Sequence, residues 1–295
     1  MLTNRFTNVK NAAVVLLLLM SALFLTVPSA QADEAQAKSS GILPLPDYSG
    51  DFSTRSYLLG DLGGKRTEWA KKGFTFDIGY NQYFQAVTDG GADTDSEYGG
   101  TIDYYINIDF DRMGLIPGGL FQMRAVSRYG NSVNGIGGSI VPVNSDAAHP
   151  TTSTLDDDVA LWLPAINYTQ FFSETFAMAI GKFDTNDNAN EFAGGRGRRQ
   201  WWNQDLNNQV SPVLITPYSL LGASAVIMPS PDLTITFLVG TITDTSNRSG
   251  FNDLDDGMFG VLRMDNQYQI QGLPGGFSLA SGYGWVGRKG NFRKI

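Results

Sequence analysis

Two runs with the same alternation, separated by a polar stretch, constrain this chain more than anything else in it. In the first, Phe74, Phe76, Ile78 and Tyr80 alternate with Thr75, Asp77, Gly79 and Asn81. In the second, Ile102, Tyr104, Ile106, Ile108 and Phe110 alternate with Asp103, Tyr105, Asn107 and Asp109. Successive side chains of a strand point to opposite faces, so each run has one apolar face and one polar face. A soluble sandwich and a membrane barrel both carry this pattern. What the apolar face touches is decided by the rest of the chain.

The first residues place the chain outside the cytoplasm. Arg5 and Lys10 precede an uncharged apolar block from Ala12 to Val27, and Ala30-Gln31-Ala32 stands before Asp33. This is the layout of a cleaved secretory signal, residues 1–32. A helical anchor needs about 20 apolar residues, and this block has 16. Of the 21 Lys and Arg residues, Arg5 and Lys10 leave with the signal, so 19 basic residues face 29 acidic ones, a net charge of −10. That sign excludes a nucleic-acid binder held by phosphate contacts. There is no cysteine, which removes disulfides, thiol catalysis and cysteine metal sites together. No later apolar run reaches helical spanning length. If the mature chain enters a membrane, only a closed barrel is open to it, because lipid satisfies no backbone hydrogen bonds.

Residues 33–56 are rich in Ala, Ser, Pro and Gly and read as a flexible leader. Asp61 is expected to cap a short helix carrying Leu62, Arg66, Trp69 and Lys72 and ending at Gly73, so that 33–73 forms a periplasmic leader. From Phe74 the pattern predicts strands only, at 74–87, 100–110, 120–129, 158–170, 176–184, 214–228, 233–241, 258–270 and 277–286. The connections alternate long (88–99, 130–157, 185–213, 242–257) and short (111–119, 171–175, 229–232, 271–276). Outer-membrane barrels have short periplasmic turns and longer outside loops, whereas a sandwich has no reason to sort its loops by parity. Aromatics such as Tyr80, Phe84, Trp162, Tyr168, Phe176, Tyr283 and Trp285 sit toward strand ends, as an interfacial girdle would place them. The fold class expected for 74–295 is all-β, an antiparallel transmembrane barrel. A secreted soluble β-sandwich, either a carbohydrate-binding module or a glycosidase, is the alternative.

Tyr57-Leu58-Leu59-Gly60-Asp61-Leu62-Gly63-Gly64-Lys65-Arg66, running into Trp69-Ala70-Lys71-Lys72-Gly73-Phe74-Thr75-Phe76-Asp77, resembles the entry segment of the carbohydrate-selective porins of the OprB family. Ile180-Gly181-Lys182-Phe183-Asp184 and the Leu-Pro-Gly-Gly turns near 115–119 and 273–276 are similar to later parts of that family. The resemblance implies an outer-membrane barrel of about sixteen strands that passes small sugars by diffusion, with no enzymatic activity and no cofactor. It also implies lipid and lipopolysaccharide as surroundings and a homotrimer as the assembly. Nine strands is an odd count where bacterial single-chain barrels have even numbers. Residues 290–295 also lack the terminal aromatic strand of the family. The expectation is that this sequence is the amino-terminal part of a longer porin.

The loop at 185–213 carries Asp187, Glu191, Arg196, Arg198, Arg199, Trp201 and Trp202. A constriction selecting sugars needs charged or amide groups for hydroxyls and aromatic surface for C–H faces, and arginine offers five donors in a planar fork. These seven are the constriction candidates, against the plainer reading of a solvated outside loop. Asp103, Asn107, Asp109, Arg124, Lys182, Arg263 and Asp265, with Gln122 and Arg128, are candidates for lumen lining. The one histidine, His149, lies in a polar loop upstream of Asp156, Asp157 and Asp158, with nothing around it that marks catalysis. Asp184-Thr185-Asn186-Asp187-Asn188 opens like a calcium loop, but Ala189 stands where glycine is needed. Asn252-Asp253-Leu254-Asp255-Asp256-Gly257 reads as a turn built by Asp and Gly. No metal site is expected.

Overall fold

The computed structural model describes residues 41–139, 141–148, 161–185, 201–207 and 217–286. The expected signal therefore lies outside the described residues. So do His149, Asp187, Glu191, Arg196, Arg198 and Arg199.

The alternating runs become nine strands: β1 (Phe74–Ala86), β2 (Ser96–Asp109), β3 (Gly119–Gly130), β4 (Trp162–Ser173), β5 (Phe176–Asp184), β6 (Ser219–Ser230), β7 (Leu233–Thr241), β8 (Gly257–Ile270) and β9 (Leu273–Val286). Each pairs antiparallel with the next, giving one sheet in the order of the chain, with β1 and β9 as its outer strands. The connections at 174–175, 231–232 and 271–272 are short and those at 131–161, 185–218 and 242–256 are long, whereas 87–95 and 110–118 are equal in length. Loop lengths thus sort by sheet end from β3 onward, and the expected contrast between the first two connections is absent.

Two boundaries differ for identifiable reasons. Leu273 to Gly276, expected in a turn, belong to β9. Gln271 (φ 54°) and Gly272 (φ 79°) supply the whole turn, since two left-handed residues match the twist of the strands they join. Pro274 sits at the very start of β9, beside the turn, where the missing N–H disturbs the ladder least. The short helix α1 runs Lys65–Lys71, later than expected, because Leu62, Gly63 and Gly64 all have positive φ. Its first residue is preceded by Gly64, which makes no side-chain cap. Asp61 still serves the first turn from a distance: its carboxylate accepts the Thr67 backbone N–H at 2.7 Å and the Thr67 hydroxyl at 2.7 Å.

The register assembles two faces of opposite character. Phe76, Ile106, Met123 and Ile166 lie in one row of paired positions, and Thr75, Asn107, Gln122 and Asn167 in the adjacent row on the other face. The apolar face is the exposed one: Ile78 is 58% exposed, Leu262 54% and Leu279 64%. The polar face is the buried one, with Asp103 at 0% and Arg124 at 3%. A soluble sandwich buries its apolar face against a second sheet. Here no second sheet exists among the described residues, so the sandwich alternative is not favoured. Aromatic pairs gather at both rims. Tyr80–Tyr129 (6.0 Å between centroids) and Tyr283–Trp285 (6.1 Å) lie toward the long-loop end, and Phe110–Tyr168 (6.3 Å) and Phe172–Phe176 (5.6 Å) at the short-turn end.

Candidate functional site

The polar face carries a ladder of uncharged hydrogen-bonding groups. Asn107 Nδ2 donates to Thr75 Oγ1 at 3.0 Å, and Gln122 Nε2 donates to Asn107 Oδ1 at 3.2 Å. Asn167 continues the row, and its Nδ2 reaches the Lys182 carbonyl at 3.4 Å. All four side chains are half-buried. The next row on the same face pairs Asp77, Tyr105 and Arg124. A wall of this kind offers donors and acceptors without a fixed charge in the row itself.

Around Arg124 the face is ionic and closed. Its Nε donates to Asp103 Oδ1 at 2.7 Å and its Nη2 to the same oxygen; Nη1 donates to Asp184 Oδ2 at 2.5 Å and to the Tyr218 hydroxyl at 3.1 Å. On β4 the position paired with Arg124 is Ala165, small enough for the guanidinium to reach across to β5. Asp184 and Tyr218 are the two roots of the 185–218 connection. Thr185 closes them further, through its N–H to the Tyr218 carbonyl (3.0 Å) and its hydroxyl to the Pro217 carbonyl (2.7 Å). One cation therefore ties both ends of the long loop to the inner wall. Asp103 and Arg124, expected to line the lumen, are buried in this network.

Gly181 precedes Lys182 and Asp184 in an unusual backbone conformation. Its φ of +136° is a conformation side chains rarely adopt, and a Cβ there would meet the Ile166 carbonyl. Ile180, just before it, is exposed with the apolar face. Lys182 and Asp184, of the same parity, instead turn to buried polar partners. Lys182 Nζ donates to the Arg248 carbonyl at 3.0 Å, which holds the 242–256 loop back over β5. Among the expected lining residues, Arg263 and Asp265 pair with each other on β8 through Nε at 2.8 and 2.9 Å and stay half-exposed.

Two long loops meet on the inner face of β1 and β2. Helix α2 (Ser145–Ala148) is buried there, capped by Asn144 Oδ1 on the Ala147 N–H at 3.0 Å. Asp146 Oδ2 accepts from Asn81 Nδ2 (2.7 Å) and Thr101 Oγ1 (2.6 Å), and Asn144 Nδ2 donates to Gln85 Oε1 (2.8 Å). The Ser145 N–H donates to the Trp202 carbonyl at 2.7 Å, and the Gln204 N–H to the Pro142 carbonyl at 3.0 Å. The Trp202 ring meets Tyr83 of β1 edge-on at 6.3 Å, while Trp201 is more than half exposed. The other five loop candidates lie outside the described residues. Nothing periodic in 141–148 marks it in the sequence, and its role here comes from tertiary contacts.

At the short-turn end the leader folds back onto the wall. Arg66 pairs with Asp77 on the polar face of β1, and its guanidinium carbon lies 3.9 Å from the Tyr48 ring centroid and 4.6 Å from that of Tyr57. Burial pushes the Tyr48 phenol above its ordinary pKa, and the nearby Asp77 carboxylate adds to this. Asp109, expected to line the lumen, accepts instead from the Ile42 and Leu43 N–H groups at 2.7 and 3.1 Å. Arg112 completes the clamp through the Leu43 carbonyl at 2.5 Å. Among the described residues no three His, Asp or Glu side chains gather as metal ligands would.

No family model matches the chain, and no curated protein does. Among solved structures it is similar to the high-pH structure of Pseudomonas putida OprB, with a TM-score of 0.66 and 17% identity over 80% of this chain. The low-pH structure of the same protein aligns with a TM-score of 0.47 and 14% identity, over 77% of this chain and 60% of that one. The chain spans 58% of the length of the high-pH structure. It has an OprB-like porin fold.

Proposed function

We propose that, built on this porin fold, the chain forms the wall of an outer-membrane pore through which small carbohydrates diffuse, with no cofactor and no covalent step. One observation carries the reading: the apolar face of the sheet is exposed and the polar face is enclosed. Exposed apolar surface on this scale marks contact with lipid or a partner rather than water. An enclosed polar wall suits water and hydroxylated solutes. Rings of lining charge and hydrogen-bonding groups set what a pore passes. The amide ladder from Thr75 to Asn167 matches hydroxyls better than it matches ions. Asp187, Glu191, Arg196, Arg198 and Arg199, with Trp201 and Trp202, are proposed as constriction groups on the loop that Arg124 roots. Lipopolysaccharide around the long-loop end and a homotrimeric assembly belong to the same proposal.

The test is reconstitution of the full-length protein into planar bilayers. The expected result is stepwise conductance that monosaccharides partly block and an acyclic polyol of equal size does not. Absence of channels, or channels that treat the two solutes alike, would overturn the reading. Replacing Arg196, Arg198 and Arg199 together should change sugar block or ion preference; unchanged values remove that loop from the pore.

A further inference from the structure

Tyr105 is the one aromatic side chain on the polar side of the alternation that runs from Ile102 to Phe110. By period and by register it shares that face with Asp103, Asn107, Asp77 and Arg124. A pore wall needing only wettability has no use for a phenyl ring there. The ring is also held in place. The ring lies against Gly79, diagonal to it on β1: a Cβ there would stand in van der Waals contact, 3.8 Å from Tyr105 Cε2 and 3.7 Å from Asp103 Cβ. The Arg124 guanidinium carbon lies 5.8 Å from the ring centroid, and Arg124 is itself fixed by Asp103, Asp184 and Tyr218. Tyr105 remains half-exposed.

Beside it, one row along, run Asn107 and Gln122. The chain of bonds from Gln122 Nε2 to Asn107 Oδ1 and from Asn107 Nδ2 to Thr75 Oγ1 orients both amides. Each amide nitrogen carries two protons and each oxygen two lone pairs, so a second N–H on each side chain and the Gln122 oxygen are left for a solute. A pyranose presents a face of C–H bonds, weakly positive, and a rim of hydroxyls. The face suits the negative face of an aromatic ring, and the rim suits a few fixed polar groups beside it.

We infer that Tyr105, with Asn107 and Gln122, is a pyranose-binding subsite on the pore wall, the ring taking the C–H face of the sugar and the two amides its hydroxyls. This rests on the pore reading above and names where along the wall the sugar is held. Tyr105 and Gln122 were not among the constriction groups proposed from the loop.

The experiment is current block by D-glucose in bilayers holding the full-length protein, with mannitol as the acyclic control. Tyr105→Phe should keep the block, because the ring face remains. Tyr105→Ala should raise the half-blocking glucose concentration about five- to tenfold, the size expected for loss of one aromatic contact. Gln122→Leu should raise it several-fold while leaving the ring in place, and it serves where Tyr105→Ala does not assemble. A glucose block unchanged in Tyr105→Ala, or in Gln122→Leu, overturns the subsite and leaves the pore reading standing. A wild-type pore that distinguishes nothing between glucose and mannitol overturns both.

Discussion

At the scale of single residues, the polar face divides into groups that hold the wall together and groups left half-exposed on it. Asp103, Asp109, Arg124 and Lys182 read alike in the sequence, as polar residues at inward positions, yet each is spent on protein contacts. Period two gives the face; it says nothing about which neighbour lies across the sheet. Arg124 is the sharpest case, since its partners on β5 and before β6 are about sixty and ninety positions away along the chain. Removing one partner of a buried ion pair strands the others, so Arg124→Ala is expected to destabilise the protein by about 3–5 kcal/mol, measured by urea unfolding in lipid vesicles. Arg263→Ala, cut from a half-exposed pair, should cost less than about 1 kcal/mol. On the opposite face, Ile106→Arg should cost about 2–4 kcal/mol near the bilayer midplane. No measurable cost there would contradict the assignment of faces.

At the scale of elements, all nine strands were legible because alternation is clear in the first two and last three and turn chemistry marks the ends of the others, though alternation blurs in the fourth and sixth. What escaped the sequence were places where the backbone leaves the regular pattern. Past Gly181, Lys182 and Asp184 meet the Arg248 carbonyl and Arg124 although they share the parity of exposed Ile180, and Gly181 pairs with Gly222, which pairs with Gly240. At Gly181 and Gly222 a Cβ would collide with a neighbouring strand's backbone oxygen, at Ile166 and Val239, and at Gly240 with the Leu220 side chain. Three small residues abreast let neighbouring groups approach closely there. Gly181→Ala should cost about 1–3 kcal/mol from backbone strain, seen as a lower urea midpoint without a change of slope. The leader is a second case: Arg66, one of a list of helix residues in the sequence, clasps Tyr48, Tyr57 and Asp77. Arg66→Ala should free residues 48–64 and raise their cleavage by added protease at least about tenfold, a loss of roughly 1.4 kcal/mol, with the strands still protected. The inward fold of 141–148 had no signal in the sequence, because its anchor, Asp146, depends on Asn81 and Thr101 lying side by side on β1 and β2.

At the scale of the molecule, a pore requires that one face of the nine-stranded sheet meet lipid and the other water. The protein has no cysteine, so a nitroxide can be introduced at one position at a time with no background. The decisive measurement is such a scan along β8, from Val261 to Asp265, in lipid vesicles, comparing collision with a water-soluble nickel complex and with oxygen dissolved in the bilayer. Labels at 261, 263 and 265 are predicted to meet nickel, and labels at 262 and 264 to meet oxygen, in strict alternation. Alternation with the opposite phase, or nickel access at all five positions, would contradict a sheet whose apolar face is turned to lipid and whose polar face encloses water.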